Sequence, residues 1–170
     1  MTPSAPTVLC DFDGTITTRD VVRELLSELA DPAWTAIEAD WEQGRIDGRE
    51  CLAKQVALIR GGWPAVERVL TTVTLDPTFA GFSAWCASHG IPLVIVSDGL
   101  DRVIAWLLAR EHLQVSAAWS NRLVVREDGA LAIECPYPPR EVTCRVGMRK
   151  CQVLARVPSP RVVIGDGVSD

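Results

Sequence analysis

The sequence predicts an α/β fold, a parallel sheet whose first strand is followed by an all-helical insertion. Two patterns carry this reading. Three short apolar runs, Thr7 to Phe12, Pro92 to Val96 and Arg161 to Ile164, each lead into a loop rich in aspartate and glycine. Apolar throughout rather than alternating, such runs suit strands buried on both faces. Between the first and second runs, residues 17–76 repeat apolar side chains at helical spacing, and no strand pattern intrudes. The division expected is a core of residues 1–16 and 77–170, with 17–76 as the insertion.

Taken in order, Thr7 to Phe12 is the first strand. Thr17 and Asp20 have capping-box spacing ahead of Val21, Val22, Leu25, Leu26 and Leu29. Asp31-Pro32 opens a second helix, with Trp34, Ile37 and Trp41 on one face and Gly44 as its stop. Asp47 and Glu50 open a third, which ends at Gly61-Gly62, and Pro64 opens a fourth. After Asp76-Pro77, the residues Phe79, Phe82, Trp85 and Cys86 line a helix ending near His89-Gly90. The second strand runs to Val96 and stops at Ser97-Asp98-Gly99, and a helix covers Leu100 to Arg110. Val115 to Trp119 reads as a third strand, and Leu123 to Val125 with Leu131 to Ile133 as a separate hairpin around Asp128-Gly129. Pro136 to Arg145 is loop-like, Gly147 to Val157 a helix bearing Lys150, and Arg161 to Ile164 the last strand. The chain stops just past that strand, where a doubly wound, Rossmann-like sheet would continue, so a truncated C-terminus is expected.

Composition narrows the function. The 170 residues are 48% hydrophobic and 23% charged, the balance of a globular chain with a core. A net charge of −5, with no basic block, argues against a nucleic-acid partner. No apolar stretch is long enough to span a bilayer, and the first residues lack a signal-peptide pattern, so a cytoplasmic protein without a membrane partner is expected. The six cysteines form no CxxC pair and read mainly as small reduced hydrophobes. Cys135, Cys144 and Cys151 lie close in sequence but match no zinc spacing. His89 and His112 fall near helix C-termini and receive no chemical role.

The chemistry concentrates in three loops: DFDGT, SDG and GDGVSD. In an open α/β sheet, ligands sit beyond the carboxyl ends of the strands. That places Asp11, Asp13, Ser97, Asp166 and Asp170 together, with Lys150 approaching from a nearby helix. Clustered carboxylates repel unless a cation lies among them, and an all-oxygen set suits a hard ion such as Mg²⁺. Glycine lets backbone N–H groups approach an anion such as phosphate. Any one such loop reads equally as an ordinary turn; three in this order, with a lysine, do not.

These motifs, in this order, resemble those of the haloacid dehalogenase (HAD) superfamily of phosphatases. The resemblance implies a HAD-like core with a helical C1-type cap, Mg²⁺ as cofactor, and a small phosphorylated metabolite as substrate. It implies that Asp11 attacks phosphorus and that Asp13 acts as acid and base. Asp11, the backbone carbonyl of Asp13, and Asp166 would hold Mg²⁺. Ser97, the N–H of Asp98 or Gly99, and Lys150 would bind phosphate, with Thr15 and Asp170 in support. The acid at Asp13 separates phosphatases from the dehalogenase branch. The helical insertion is similar to that of the phosphoserine phosphatase group, and WEQGRIDGRECL to that of methionine-salvage enol-phosphate phosphatases. Asp20 matches an acidic residue that contacts the substrate amine in phosphoserine phosphatases; its other reading is a helix-start carboxylate. Ala53 stands where those enzymes carry a carboxylate-binding arginine. Phosphoserine- or phosphoethanolamine-type hydrolysis, and a non-catalytic binding module, remain the alternatives. The assembly implied is a monomer or homodimer. Trp41 or Trp63 is expected to line the pocket.

Overall fold

A computed structural model describes residues 5–137, 148 and 150–167. Five strands form one sheet in the order β4-β3-β2-β1-β5. β1 (Thr7–Cys10) pairs in parallel with both β2 (Leu93–Leu100) and β5 (Arg161–Ile164), and β2 in parallel with β3 (Ala117–Val125). β4 (Leu131–Glu134) closes one edge antiparallel to β3. The strand that ends in DFDGT therefore lies between those that end in SDG and GDG.

Side chains alternate across a strand, and the two faces of the sheet carry separate cores. Val8, Cys10, Leu93 and Ile95 join the larger cluster, with Ile104 and Leu107 of α6 (Asp101–Arg110) and much of the insertion. Leu9, Val94 and Val96 face the other way, onto Met148 and onto Val153 of α7 (Lys150–Leu154).

Four helices fill the stretch between β1 and α5 (Phe79–Ser88): α1 (Val21–Leu29), α2 (Trp34–Glu42), α3 (Gly48–Val56) and α4 (Gly62–Leu70). The chain leaves and returns through a paired neck. Thr17 bridges Leu75 in antiparallel fashion, Thr18 N–H donates to the Thr74 carbonyl at 3.1 Å, and Asp76 N–H donates to the Ile16 carbonyl at 2.8 Å. Two further contacts fasten the helices to the core. Arg110 donates to the carbonyls of Leu70 and Val73 at 2.6 and 2.8 Å, satisfying acceptors around the C-terminal end of α4. At the start of α4, a Cβ on Gly62 would come within 2.7 Å of the Gly129 carbonyl in the β3–β4 turn. Only glycine fits there.

Several elements depart from the sequence expectation. Asp20 itself caps α1, accepting from Arg23 N–H at 2.8 Å; Thr17 instead accepts from Gly14 N–H within the DFDGT loop. The separate third strand and first hairpin arm are one strand, β3, because Ser120 and Asn121 are buried within it. β2 runs through Ser97-Asp98-Gly99 to Leu100, with a register shift against β3 between Val96 and Leu100. Trp85, placed on the packed face of α5, is 50% exposed and stacks between Phe82 and His89. Most of the loop expected at Pro136 to Arg145 lies outside the described residues, as do Cys144 and Asp170. Among the described residues, no helix is long and apolar enough to cross a membrane.

Candidate active site

β1 delivers Asp11 to the end of the sheet, where its N–H donates to the Ile164 carbonyl of β5 at 2.9 Å. The chain then turns sharply. The Phe12 carbonyl accepts from the N–H groups of Thr15, Ile16 and Thr17, and Gly14 takes φ +78°. This turn points Asp11 and Asp13 into a cavity of about 820 Å³. A side chain at Gly14 would collide with Asp166, since its Cβ would lie 2.7 Å from Asp166 Oδ2. Thr15 Oγ1 donates to the other Asp166 oxygen at 3.1 Å. The two glycine loops are thus locked edge to edge.

The acids of DFDGT sit in different surroundings. Lys150 Nζ lies 2.9 Å from Asp11 Oδ1, and both side chains are nearly buried. This ion pair presents Asp11 as a carboxylate. Asp13 accepts from Val21 N–H at 2.9 Å, and Ser97 Oγ stands 3.4 Å from its other oxygen. Burial, helped by the negative charge of Asp20, raises Asp13 from 3.8 to about 7, against the pull of the Val21 N–H. A carboxyl group that exchanges its proton near neutrality can serve as acid and then as base.

Ser97 is fully buried, and its oxygen accepts from Gly99 N–H at 2.9 Å. A Cβ at Gly99 would fall 2.6 Å from Asp13 Oδ2, so only glycine lets this loop lie against the acid. The Asp98 side chain turns away and accepts from Met148 N–H at 2.5 Å, which ties the second loop to the segment carrying Lys150. Asn121 donates from β3 to the Asp98 carbonyl at 2.7 Å. Neither anchoring role was expected from the sequence. A polar Asn inside an apolar strand pattern was the available signal for the second.

The helical insertion roofs the cavity. Asp20, Val22, Glu38, Trp41, Cys51 and Gln55 contribute, while Trp63 does not; it packs under Arg102, at 4.3 Å from guanidinium carbon to ring centre. Gln55, almost fully buried, donates to Glu38 Oε2 at 2.6 Å. Burial, then the neighbouring Glu38 carboxylate, push the Cys51 thiol to about 12, so it is a neutral part of the wall. Asp20 both caps α1 and faces the cavity. The roof pair Glu38–Gln55 is 17 residues apart, beyond the reach of periodicity.

The donors at the floor fit the ion that the motifs imply. Among the described residues, no group of three or more His, Cys, Asp or Glu side chains gathers at metal-binding spacing. Two carboxylates, Asp11 and Asp166, with a backbone carbonyl between them in the loop, form a sparse all-oxygen set. Mg²⁺ takes such sets because it retains several of its waters.

A sheet with this strand order, carrying an aspartate pair at the end of a central strand and a buried lysine facing it, defines a hydrolase of the HAD type. The chain belongs to the haloacid dehalogenase-like hydrolases, whose family pattern it matches over residues 8–170. Within that family it is a phosphatase. It is 29% identical, over 96% of its length and 76% of the relative's, to the 2-hydroxy-3-keto-5-methylthiopentenyl-1-phosphate phosphatase of Geobacillus thermodenitrificans. Its fold matches a HAD family hydrolase from Salmonella enterica serovar Typhi with a TM-score of 0.75 at 23% identity, over 98% of this chain and 58% of that one. It matches a phosphoserine phosphatase in its apo form with a TM-score of 0.70 at 19% identity, over 98% of this chain and 80% of that one.

Proposed function

We propose that this chain hydrolyses the phosphate monoester of a small metabolite through an aspartyl-phosphate at Asp11. The observation that carries the reading is the unlike pair: Asp11 ion-paired to Lys150, and Asp13 held near neutral titration two residues away. An Asp11 carboxylate oxygen forms the bond to phosphorus while the ester P–O bond breaks. Asp13 gives its proton to the departing oxygen. Asp13, now a carboxylate, takes a proton from water as the water oxygen attacks phosphorus, which frees Asp11 and inorganic phosphate. Lys150, Ser97 and the Gly99 N–H offset the charge of the phosphoryl oxygens. Asp11, Asp166 and the Asp13 carbonyl would hold Mg²⁺, whose positive charge lets an anionic nucleophile and an anionic phosphate approach each other.

The roof supports an uncharged or cationic leaving group. Among the described lining residues Lys150 is the one cation, and it sits at the floor; the roof offers Asp20, Glu38, Glu42 and Gln55 beside Val22, Trp41 and Leu52. A substrate carboxylate, as in phosphoserine, would meet acids there. A keto- or hydroxy-bearing chain with an apolar end, as in the substrate named for the Geobacillus relative, fits the wall. We therefore place the enol-phosphate of methionine salvage first. The acids also favour a second reading, an amine-bearing ester such as phosphoethanolamine. Phosphate release with Mg²⁺ should be measured from these two esters, phosphoserine and p-nitrophenyl phosphate, for the wild type and Asp11→Asn. No release from any ester by the wild type, or equal release by Asp11→Asn, would overturn the proposal.

A further inference from the structure

We infer that Asn121 is a positioning residue that holds the Gly99 N–H on Ser97 Oγ and so leaves the Ser97 hydroxyl proton for the phosphate site. The inference rests on the phosphatase reading. It begins with a gap in the sheet. β2 and β3 are in register from Val94 to Val96 and again at Leu100, which pairs with Asn121; the register shifts in between. Ser97, Asp98 and Gly99 therefore have no β3 partner in the ladder to fix their peptide planes. Side chains must do so instead.

Asn121 occupies that place. Its side chain is buried, at 1% exposure, and its amide nitrogen donates to the Asp98 carbonyl at 2.7 Å. That carbonyl and the Gly99 N–H belong to one planar trans peptide, so they point in opposite directions. A donor that holds the carbonyl on the β3 side turns the N–H away from β3, onto Ser97 Oγ at 2.9 Å. Ser97 then accepts from this N–H, and its own hydroxyl proton is left to point elsewhere, toward Asp13 or a phosphate oxygen. The tolerance is small, because an extra carbon at Gly99 would stand 2.6 Å from Asp13 Oδ2 and 3.0 Å from Ser97 Oγ.

Without the amide, the peptide is free to rotate and present its carbonyl to the cavity. Ser97 Oγ would then lose the donor that orients it, and an acceptor would stand beside Asp11 and Asp13. Asn121 touches neither the substrate site nor a reacting atom; it is absent from the cavity lining. Its effect passes entirely through the 98–99 peptide.

The test compares wild type with Asn121→Ala and the near-isosteric Asn121→Asp, which keeps the shape but at neutral pH has no proton to donate. The readouts are the inhibition constant of inorganic phosphate, kcat and KM for p-nitrophenyl phosphate, the melting temperature, and the Gly99 amide resonance during titration with phosphate and Mg²⁺. Phosphate inhibition should weaken tenfold or more in both variants. The Gly99 resonance should move on phosphate addition in the wild type and respond far less in the variants. A purely structural role would lower the melting temperature and leave the inhibition constant of the folded protein within twofold; that result overturns the inference. If neither variant folds, the wild-type titration decides, since a Gly99 resonance that ignores bound phosphate is equally fatal. A wild type that neither binds nor releases phosphate would instead sink the phosphatase reading.

Discussion

The floor and the roof of the cavity are built by different means. At the floor, Asp11, Asp13 and Asp166 lie just past strands whose backbone pairing sets their positions, while Ser97 and Gly99 sit in the unpaired stretch of β2 that Asn121 holds. At the roof, position depends on helix caps and side-chain contacts: Asp20 on Arg23 N–H, Asp47 on Glu50 N–H, and Gln55 on Glu38. α2 buries none of its residues fully. A ladder of parallel strands resists local change because every bond shares its neighbours' geometry. A helix held by a few side chains can shift or be re-sequenced at little cost to stability. On the proposed reading, the floor carries the reaction and the roof chooses the leaving group.

Five substitutions would break or sharpen that division. Asp11→Asn at the floor should have the largest effect, a fall in kcat of about 10⁴-fold or more for every substrate alike. Steady-state rates with two unrelated esters check this; a loss confined to one ester would move Asp11 out of the common machinery.

Asp13→Asn should nearly stop turnover and also reveal the cost of burying the acid. In the metal-free folded protein Asp13 keeps its proton up to about pH 7, whereas unfolded it releases it near 3.8. Between those values the native state binds the extra proton, so its stability falls as pH rises through the window and levels off above 7. The asparagine carries no charge and escapes that loss. Denaturant melts without metal should find Asp13→Asn more stable than wild type by about 2 kcal/mol or more at pH 8, the gain shrinking toward pH 5. A gain that does not vary with pH would show that Asp13 is not held neutral.

At the roof, Asp20→Ala and Gln55→Ala should each lower kcat/KM for the preferred ester by about tenfold, ~1.4 kcal/mol, and change p-nitrophenyl phosphate hydrolysis by less than about threefold. Equal losses on both esters would place these residues with the fold rather than with recognition. Smallest of all, Arg110→Ala removes two bonds to backbone carbonyls of the insertion. Stability should fall by about 1–2 kcal/mol with saturating kcat unchanged at 25 °C. A large drop in kcat would mean that the fastening of α4 governs the chemistry as well.

The floor was legible in the sequence because strand ends need no knowledge of packing: an apolar run followed by aspartate and glycine locates itself. The sites of Asp11, Asp13, Ser97 and Asp166 follow from that logic, Lys150 from its place in the order of motifs, and the structure brings all five to one cavity. The roof was legible only as helices. Which of their side chains turn inward depends on crossing angles that local periodicity does not encode, so Glu38 and Gln55 went unseen. The same limit hid β3. Ser120 and Asn121 look like a break between two short strands, yet they are polar residues buried in one. Asn121 serves the neighbouring strand rather than its own pattern. Trp85 marks the opposite failure, an apolar residue at a helical position with no partner layer above it.

The neck at Thr17 and Leu75 gives the molecule a single seam. The chain departs for the roof and comes back at hydrogen-bonded neighbours, so the ends of β1 and α5 stay where they are whatever is threaded between them. A graft of foreign helices between Val21 and Leu70 would keep the neck, the Val21 N–H on Asp13 and the carbonyls that hold Arg110, but would have to refill the apolar core shared with the sheet. Descendants of such a gene can rebuild most of the roof within one contiguous stretch of codons, provided that Asp20 and Val21, the two of its residues which bear on Asp13, are kept.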